Sequence, residues 1–138
     1  MKVFIDTGAI CAAVIPGDAH NRTAKNMFLS LQESNAGLFT SDYVLAELYT
    51  LLRVRSSHRT AVAYMDSFEN TGISMLFAHE IIGKEAKNIF RKYDLPRLSF
   101  TDCTSFALIN THRIDHVFSF DEHFRIFRFD HPVTLLGV

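Results

Sequence analysis

The chain has 138 residues, of which 48% are hydrophobic and 21% are charged. This length predicts one domain spanning residues 1–138, and the composition excludes wholesale disorder. No apolar run approaches the roughly 18 residues that a membrane helix needs, and Asp6 interrupts the short apolar stretch after Met1-Lys2, so we expect neither contact with a membrane nor a secretory signal. The formal charge of −1 argues against a protein held to nucleic acid mainly by bulk charge.

The first half of the chain alternates strand and helix patterns. Ala24, Met27, Phe28 and Leu31 recur at the spacing of one helical face. The predicted elements of this half are a strand at 2–5, a short helix at 9–15, a helix at 21–34, a brief strand at 38–40 and a helix at 42–55.

The second half continues the alternation. Pro96 prevents the helix before it from continuing. The predicted elements are helices at 60–70, 80–93 and 101–112, strands at 73–77, 116–119 and 133–136, and a short helix at 122–127.

Five short strands separated by helices indicate the fold class. Consecutive strands joined through helices need crossover connections, which give a mainly parallel sheet with helices on both faces. In such α/β sheets, ligands bind beyond the carboxyl ends of the strands, where the strand order reverses. We therefore expect functional residues where strands give way to helices.

Four acidic residues stand at these positions. Asp6 ends the first strand, Asp121 follows the fourth strand, and Asp102 opens a helix. Glu47 lies about one turn into the helix after the second strand. Gathered carboxylates repel one another, and a divalent cation such as Mg²⁺, which prefers oxygen ligands, removes the conflict. Such a site suits phosphodiester hydrolysis, since the metal activates water and neutralises charge in the transition state.

Each acid also has a purely structural explanation. Asp6 could cap the first helix, and Asp102 could be an acid favoured in a first helical turn by the helix dipole. Segment 119–122 reads Ser-Phe-Asp-Glu, a capping box that accounts for Asp121 without catalysis. Glu47 stands among apolar residues, where an ion pair with a neighbouring arginine would offset the cost of its burial.

The four acidic segments together resemble the PIN-domain family, and the resemblance runs from Lys2 to about Leu136. Each segment by itself is a loose pattern, whereas four in this order at compatible spacing are specific. They are Val3-Phe4-Ile5-Asp6-Thr7, Thr40-Ser41-Asp42-Tyr43-Val44-Leu45-Ala46-Glu47, Leu98-Ser99-Phe100-Thr101-Asp102-Cys103 and Val117-Phe118-Ser119-Phe120-Asp121-Glu122-His123-Phe124.

The resemblance implies a three-layer α/β/α sandwich and a Mg²⁺- or Mn²⁺-dependent ribonuclease. By position, the implied metal and catalytic residues are Asp6, Glu47, Asp102 and Asp121, and the implied hydroxyls that orient carboxylates or water are Thr7 and Ser119. Our mechanistic hypothesis is that Asp6 and Asp102 bind the catalytic metal, Glu47 completes its shell, and Asp121 holds a water or a second ion. Attack by the activated water leaves a 5′-phosphate and a 3′-hydroxyl.

Basic residues near the middle of the chain are candidates for RNA contact. No acid lies between Glu47 and Asp66, while Arg53, Arg55 and Arg59 are present. We expect these three to contact a phosphate backbone, with a solvated face or a protein docking site as the alternative. A looser basic set, Arg91, Lys92 and Arg97, is predicted to be solvated surface.

Small single-domain members of this family are most often VapC-like toxins neutralised by a short partner protein. We therefore expect an RNA substrate and a small antitoxin. A homodimer or an antitoxin contact is also expected, because the apolar residues exceed what one helix face needs, and burial in the core is the alternative for each of them. They are Leu48, Tyr49, Leu51, Leu52 and Tyr64. Two free cysteines and no secretory signal predict a cytoplasmic protein. A housekeeping RNA-processing nuclease, or a domain that binds RNA without cleaving it, are the alternatives.

Overall fold

The computed structural model describes residues 1–137. Its sheet has five short strands, each close to its predicted bounds. They are β1 (Lys2–Ile5), β2 (Gly37–Ser41), β3 (Ile73–Leu76), β4 (His116–Phe118) and β5 (Thr134–Leu136).

The strands lie in the order β3-β2-β1-β4-β5, and every pairing is parallel. The chain first builds outward from β1 through β2 to β3, and then crosses to the other side of β1 to form β4 and β5. The strand order therefore reverses between β1 and β4, which is where ligands bind in sheets of this kind. In this pair Ile5 is opposite Phe118, so the residues that follow the two strands are neighbours.

Within residues 1–137, seven α-helices cover the sheet. They are α1 (Thr7–Val14), α2 (Asn21–Glu33), α3 (Asp42–Arg55), α4 (His58–Ser67), α5 (Glu80–Lys92), α6 (Phe100–Thr111) and α7 (His123–Ile126). The largest difference from prediction is at 60–70, where α4 begins earlier and a 3₁₀ helix, Phe68–Asn70, follows it. The early start has a local cause, because the Ser57 hydroxyl caps α4 by accepting a hydrogen bond from the backbone of Thr60.

The sheet separates two apolar layers. Val3 and Ile5 of β1 pack into one cluster with α1, α2, α3 and α4, whereas Phe4 between them packs into the other cluster with α5, α6 and α7. Alternation along a strand sends successive side chains to opposite faces, so a continuous apolar strand requires cover on both sides. The predicted α/β/α sandwich around a parallel sheet is confirmed.

The apolar residues that led us to expect a homodimer have partners within the chain. Leu48 and Leu52 are fully buried, and Tyr49, Leu51 and Tyr64 pack against the same core cluster. Because these residues pack within one chain, they no longer support a dimer interface. The homodimer stays a prediction.

Cys11 and Cys103 are both buried and unbridged, as predicted. Within residues 1–137, none of the helices combines the length and the apolar character that crossing a membrane requires.

Candidate active site

A cavity of ≈ 540 Å³ opens at the edge of the sheet where β1 and β4 end. All four predicted acids line it, although they come from four distant segments. The lining residues are Asp6, Thr7, Gly8, Glu47, Leu51, Arg97, Asp102, Phe120, Asp121, Glu122 and His123.

Asp6 stands at the junction between β1 and α1. It occupies the capping position of α1, yet its side chain makes no capping hydrogen bond. Its carboxylate instead accepts a hydrogen bond of 2.7 Å from the hydroxyl of Ser119. Burial and the negative charge of Asp102 raise the pKa of Asp6 to about 7, although the Ser119 hydrogen bond opposes the rise. The helix-capping explanation therefore does not account for this side chain.

Asp102 serves the helix and the cavity together. The Ser99 hydroxyl accepts a hydrogen bond from the backbone of Asp102, and the Asp102 carboxylate accepts one from the backbone of Ser99, which makes a capping box for α6. Burial and the charge of Asp121 raise the pKa of Asp102 to about 6, while a hydrogen bond from His123 opposes this. The capping box thus holds the Asp102 carboxylate in a place where its charged form is disfavoured.

The capping box at 119–122, which was the structural alternative for Asp121, does not form. Helix α7 begins only at His123, and Glu122 makes no side-chain cap. The Ser119 hydroxyl instead accepts a hydrogen bond of 3.0 Å from the backbone of Asp121 while donating to Asp6. This single hydroxyl links two of the predicted acids.

Glu47 reaches the cavity from α3 and is half-buried. The proposed alternative for this residue was an ion pair with an arginine. No such pair is formed in the part of the chain that the structure describes. Its carboxylate is therefore available to a ligand in the cavity.

His123 is a site residue that sequence reasoning missed. Its Nδ1 lies 3.2 Å from Oδ2 of Asp102 and 3.2 Å from Oδ1 of Asp121, and its Nε2 donates a 2.9 Å hydrogen bond to the carbonyl of Pro96. Burial acts to lower the pKa of His123, but the Pro96 hydrogen bond and the two carboxylates outweigh it, so the pKa is raised. The only sequence signal was its position two residues after Asp121.

The donor set fits a hydrated divalent cation. Oxygen atoms of Asp102 and Asp121 and a ring nitrogen of His123 lie within 4.8 Å of one another. Thr7 is buried in the cavity wall, and its Oγ1 is the one buried side-chain polar atom in residues 1–137 that lacks a hydrogen-bond partner. Since an unpaired buried hydroxyl is costly, this atom indicates that the cavity accommodates a further polar group.

The three predicted RNA-contact arginines lie outside the cavity. Arg53 and Arg55 are in the last turn of α3, and Arg59 is in the first turn of α4; all three are exposed. Arg55 makes contacts within the chain: its guanidinium pairs with Asp18 at 2.8 Å and also donates a hydrogen bond to Sγ of Cys11. Arg53 and Arg59 remain the better candidates for contact with RNA.

Comparison with known proteins gives one family and one close set of relatives. A model of the PIN domain matches residues 3–130. The chain is 32% identical over 122 residues to the 23S rRNA-specific endonuclease VapC20 of two Mycobacterium tuberculosis strains, CDC 1551 / Oshkosh and ATCC 25618 / H37Rv. The alignment covers 88% of this chain and 91% of each relative.

Two of the solved structures that match are similar over nearly the whole chain. Mycobacterium tuberculosis VapC20, described as a sarcin-ricin loop cleaving toxin, has a TM-score of 0.82 and 30% identity, with 99% of this chain and 98% of that one covered. VapBC2 from Rickettsia felis, bound to a DNA fragment from their promoter, has a TM-score of 0.72 with the same coverage. Its 14% identity makes it evidence for the fold alone.

Proposed function

The chain belongs to the PIN-domain family, and from that premise we propose that it is a Mg²⁺- or Mn²⁺-dependent endoribonuclease, the toxin of a VapBC-type toxin–antitoxin pair. The residues that we assign to the reaction are Asp6, Glu47, Asp102 and Asp121, with the Ser119 hydroxyl orienting Asp6 and the Thr7 hydroxyl available to orient a water.

The observation that carries this proposal is the convergence of four carboxylates on one cavity. Asp6 and Asp102 are both buried. Burial and the charge of Asp102 raise the pKa of Asp6, and burial and the charge of Asp121 raise the pKa of Asp102. A protein gains no stability from gathering like charges in a poorly solvated place. A divalent cation bound between them offsets that cost, so the cluster is understandable as a metal site.

The chain's own groups supply binding and orientation. Asp6 and Asp102 would hold the cation, with Glu47, Asp121 and the ring nitrogen of His123 around them. When bound, the metal supplies a Lewis acid that activates water and neutralises charge on the phosphate. Ser119 fixes the direction of the Asp6 carboxylate through its 2.7 Å hydrogen bond. The unpaired Thr7 hydroxyl would orient a water of the metal shell.

The substrate proposal extends from the relative. VapC20 is specific for 23S rRNA, and the chain is 32% identical to it over 88% of its own length. We therefore propose large-subunit ribosomal RNA as the substrate to test first. The carboxylates impose no base preference, because they act at the phosphate, so selection of one RNA depends on surfaces around the cavity.

The partner proposal is a small antitoxin protein. The similar structure of VapC20 is described as that of a toxin, and small members of the family that the sequence resembles are neutralised by a short partner protein. We also keep a homodimer and a cytoplasmic location as proposals. Val54, Val62 and Met65 of α3 and α4 are exposed apolar side chains that a protein partner would cover.

Cleavage of total bacterial RNA, with Mg²⁺ or Mn²⁺ added and cut sites mapped by primer extension, tests the activity. Wild type should leave 5′-phosphate ends, and Asp6→Asn should cleave at least a hundredfold more slowly, since it removes one charge of the cluster. Asp66→Asn, which neutralises an exposed aspartate of α4, is the matched control. Wild-type cleavage rates for Asp6→Asn would contradict the assignment, and an absence of both Mn²⁺ binding and cleavage in wild type would favour a binding domain.

A further inference from the structure

Arg97 is the one arginine or lysine among the cavity-lining residues within the described part of the chain. It lies in the connection between α5 and α6 and is exposed. The sequence groups it with Arg91 and Lys92 as solvated surface, but neither of those lines the cavity. The fold thus singles out one cation of that set and brings it beside the four acids.

The guanidinium of Arg97 is not used to neutralise those acids. Five carboxylates line the same cavity, yet Arg97 makes no ion pair or side-chain hydrogen bond within residues 1–137. A structural counter-ion would be expected to act on these carboxyls, so a different role is needed.

The backbone of Arg97 carries a conformational cost. Its φ of 61° lies in the left-handed region, which glycine adopts readily and a residue with a Cβ adopts only at a cost in conformational energy. The segment is nevertheless held firmly. The His123 ring donates to the carbonyl of Pro96, and the backbone of Leu98 donates to the carbonyl of Leu95 at 3.2 Å. Arg97 is thereby attached to the ring that also contacts Asp102 and Asp121.

We propose that Arg97 binds a backbone phosphate of the RNA strand at the mouth of the cavity. This inference rests on the proposed ribonuclease function. A polyanion entering a cavity lined by carboxylates meets repulsion, and a planar guanidinium that presents paired donors to phosphate oxygens offsets it. Because the protein leaves this guanidinium without a partner, phosphate binding displaces no internal ion pair.

Binding of a short fluorescein-labelled single-stranded RNA, measured by anisotropy with Mn²⁺ over a series of salt concentrations, tests the inference. All proteins carry Asp6→Asn, so that the RNA stays intact. Arg97→Ala should bind about tenfold more weakly, and the slope of log affinity against log salt should become shallower by about 0.7, the value for one phosphate contact. Arg97→Gly should lose the same affinity while melting at a higher temperature, because it relieves the left-handed backbone.

The matched control is Arg113→Ala. Arg113 is also an exposed arginine with positive φ, 48°, but it follows α6 and does not line the cavity. Equal affinity and salt slope for Arg97→Ala and Arg113→Ala would overturn the inference while leaving the ribonuclease proposal intact. Isothermal titration with Mn²⁺, in proteins with Asp6 retained, should show undiminished metal binding by Arg97→Ala; a loss there would assign Arg97 to the metal site instead. Failure of wild type to cleave or bind RNA would overturn both proposals.

Discussion

The hydroxyl of Ser119 donates a hydrogen bond of 2.7 Å to Oδ2 of Asp6, although 113 positions separate the two residues in the chain. The parallel pairing of β1 with β4 makes this contact possible, since it places Ile5 opposite Phe118 and the two residues that follow side by side. Gly137 packs closely against the Ser119 backbone, since a Cβ there would lie 2.8 Å from the Ser119 carbonyl oxygen.

Ser119→Ala should slow RNA cleavage by about tenfold to a hundredfold, the usual range for partners that orient metal ligands. The substitution frees the Asp6 carboxylate to rotate and removes the acceptor for the Asp121 backbone. Initial cleavage rates with saturating Mn²⁺ measure the effect. Ser105→Ala is the control, since Ser105 is an equally buried serine whose hydroxyl bonds only the carbonyl of Thr101. Equal rates for both variants would exclude an orienting role for Ser119.

Asp6→Asn should stabilise the metal-free protein at pH 8. The pKa of Asp6 is about 7 in the folded chain against an ordinary 3.8, so the folded state favours the protonated carboxyl. The stability that this protonated carboxyl contributes is complete below about pH 4 and is lost as the pH rises through 7. Asparagine does not ionise and escapes this loss, so the free energy of unfolding should exceed that of wild type by at least about 1 kcal/mol at pH 8.

The gain should shrink toward pH 4, where the wild-type carboxyl is protonated in both states. Urea denaturation in the presence of a chelator measures it at both pH values. The Asp66→Asn variant, whose exposed side chain is outside the cavity, should match wild type at both. A loss of stability for Asp6→Asn at pH 8 would show that the buried charge is well solvated or paired.

His123→Ala should weaken Mn²⁺ binding by about tenfold to a hundredfold, because it removes the nitrogen that lies between Asp102 and Asp121. Isothermal titration measures the affinity directly. His131→Ala is a closely matched control: its ring also contacts a carbonyl, that of Ile114, and an aspartate, Asp130, but outside the cavity. Unchanged Mn²⁺ affinity in His123→Ala would show that His123 is not a metal ligand and that its role is the hydrogen bond to Pro96.

Substitutions of Arg55 and Arg53 should have different effects, the first on the stability of the fold and the second on RNA binding. Arg55→Ala should lower the free energy of unfolding by about 1 kcal/mol, since it breaks the pair with Asp18, whose side chain is 10% exposed. Arg53→Ala should leave stability within about 0.5 kcal/mol of wild type and weaken RNA binding instead. Urea denaturation and RNA anisotropy on the same two proteins check both halves. Equal destabilisation by the two substitutions would remove the distinction.

The predicted elements were close to those observed because their signals are local. The apolar run at 2–5 and the single-face pattern at 21–34 are set by neighbours within one or two turns, and β1 and α2 follow them. Local patterns were insufficient where the deciding contact was distant. Segment 119–122 has the letters of a capping box, yet Ser119 faces Asp6, which no local pattern contains.

The sequence by itself determined the class of fold and the identity of the four acids, because strand-helix alternation and carboxylate position are properties of short segments. Only the tertiary structure decided which groups meet. It placed His123 beside two of the acids and Arg97 at the cavity, and it paired Arg55 with Asp18. It also left the Thr7 hydroxyl without a hydrogen-bond partner among residues 1–137. These relationships depend on the order of β1 and β4 and on how the connections pack over the sheet edge, and such long-range geometry has no signature in local spacing.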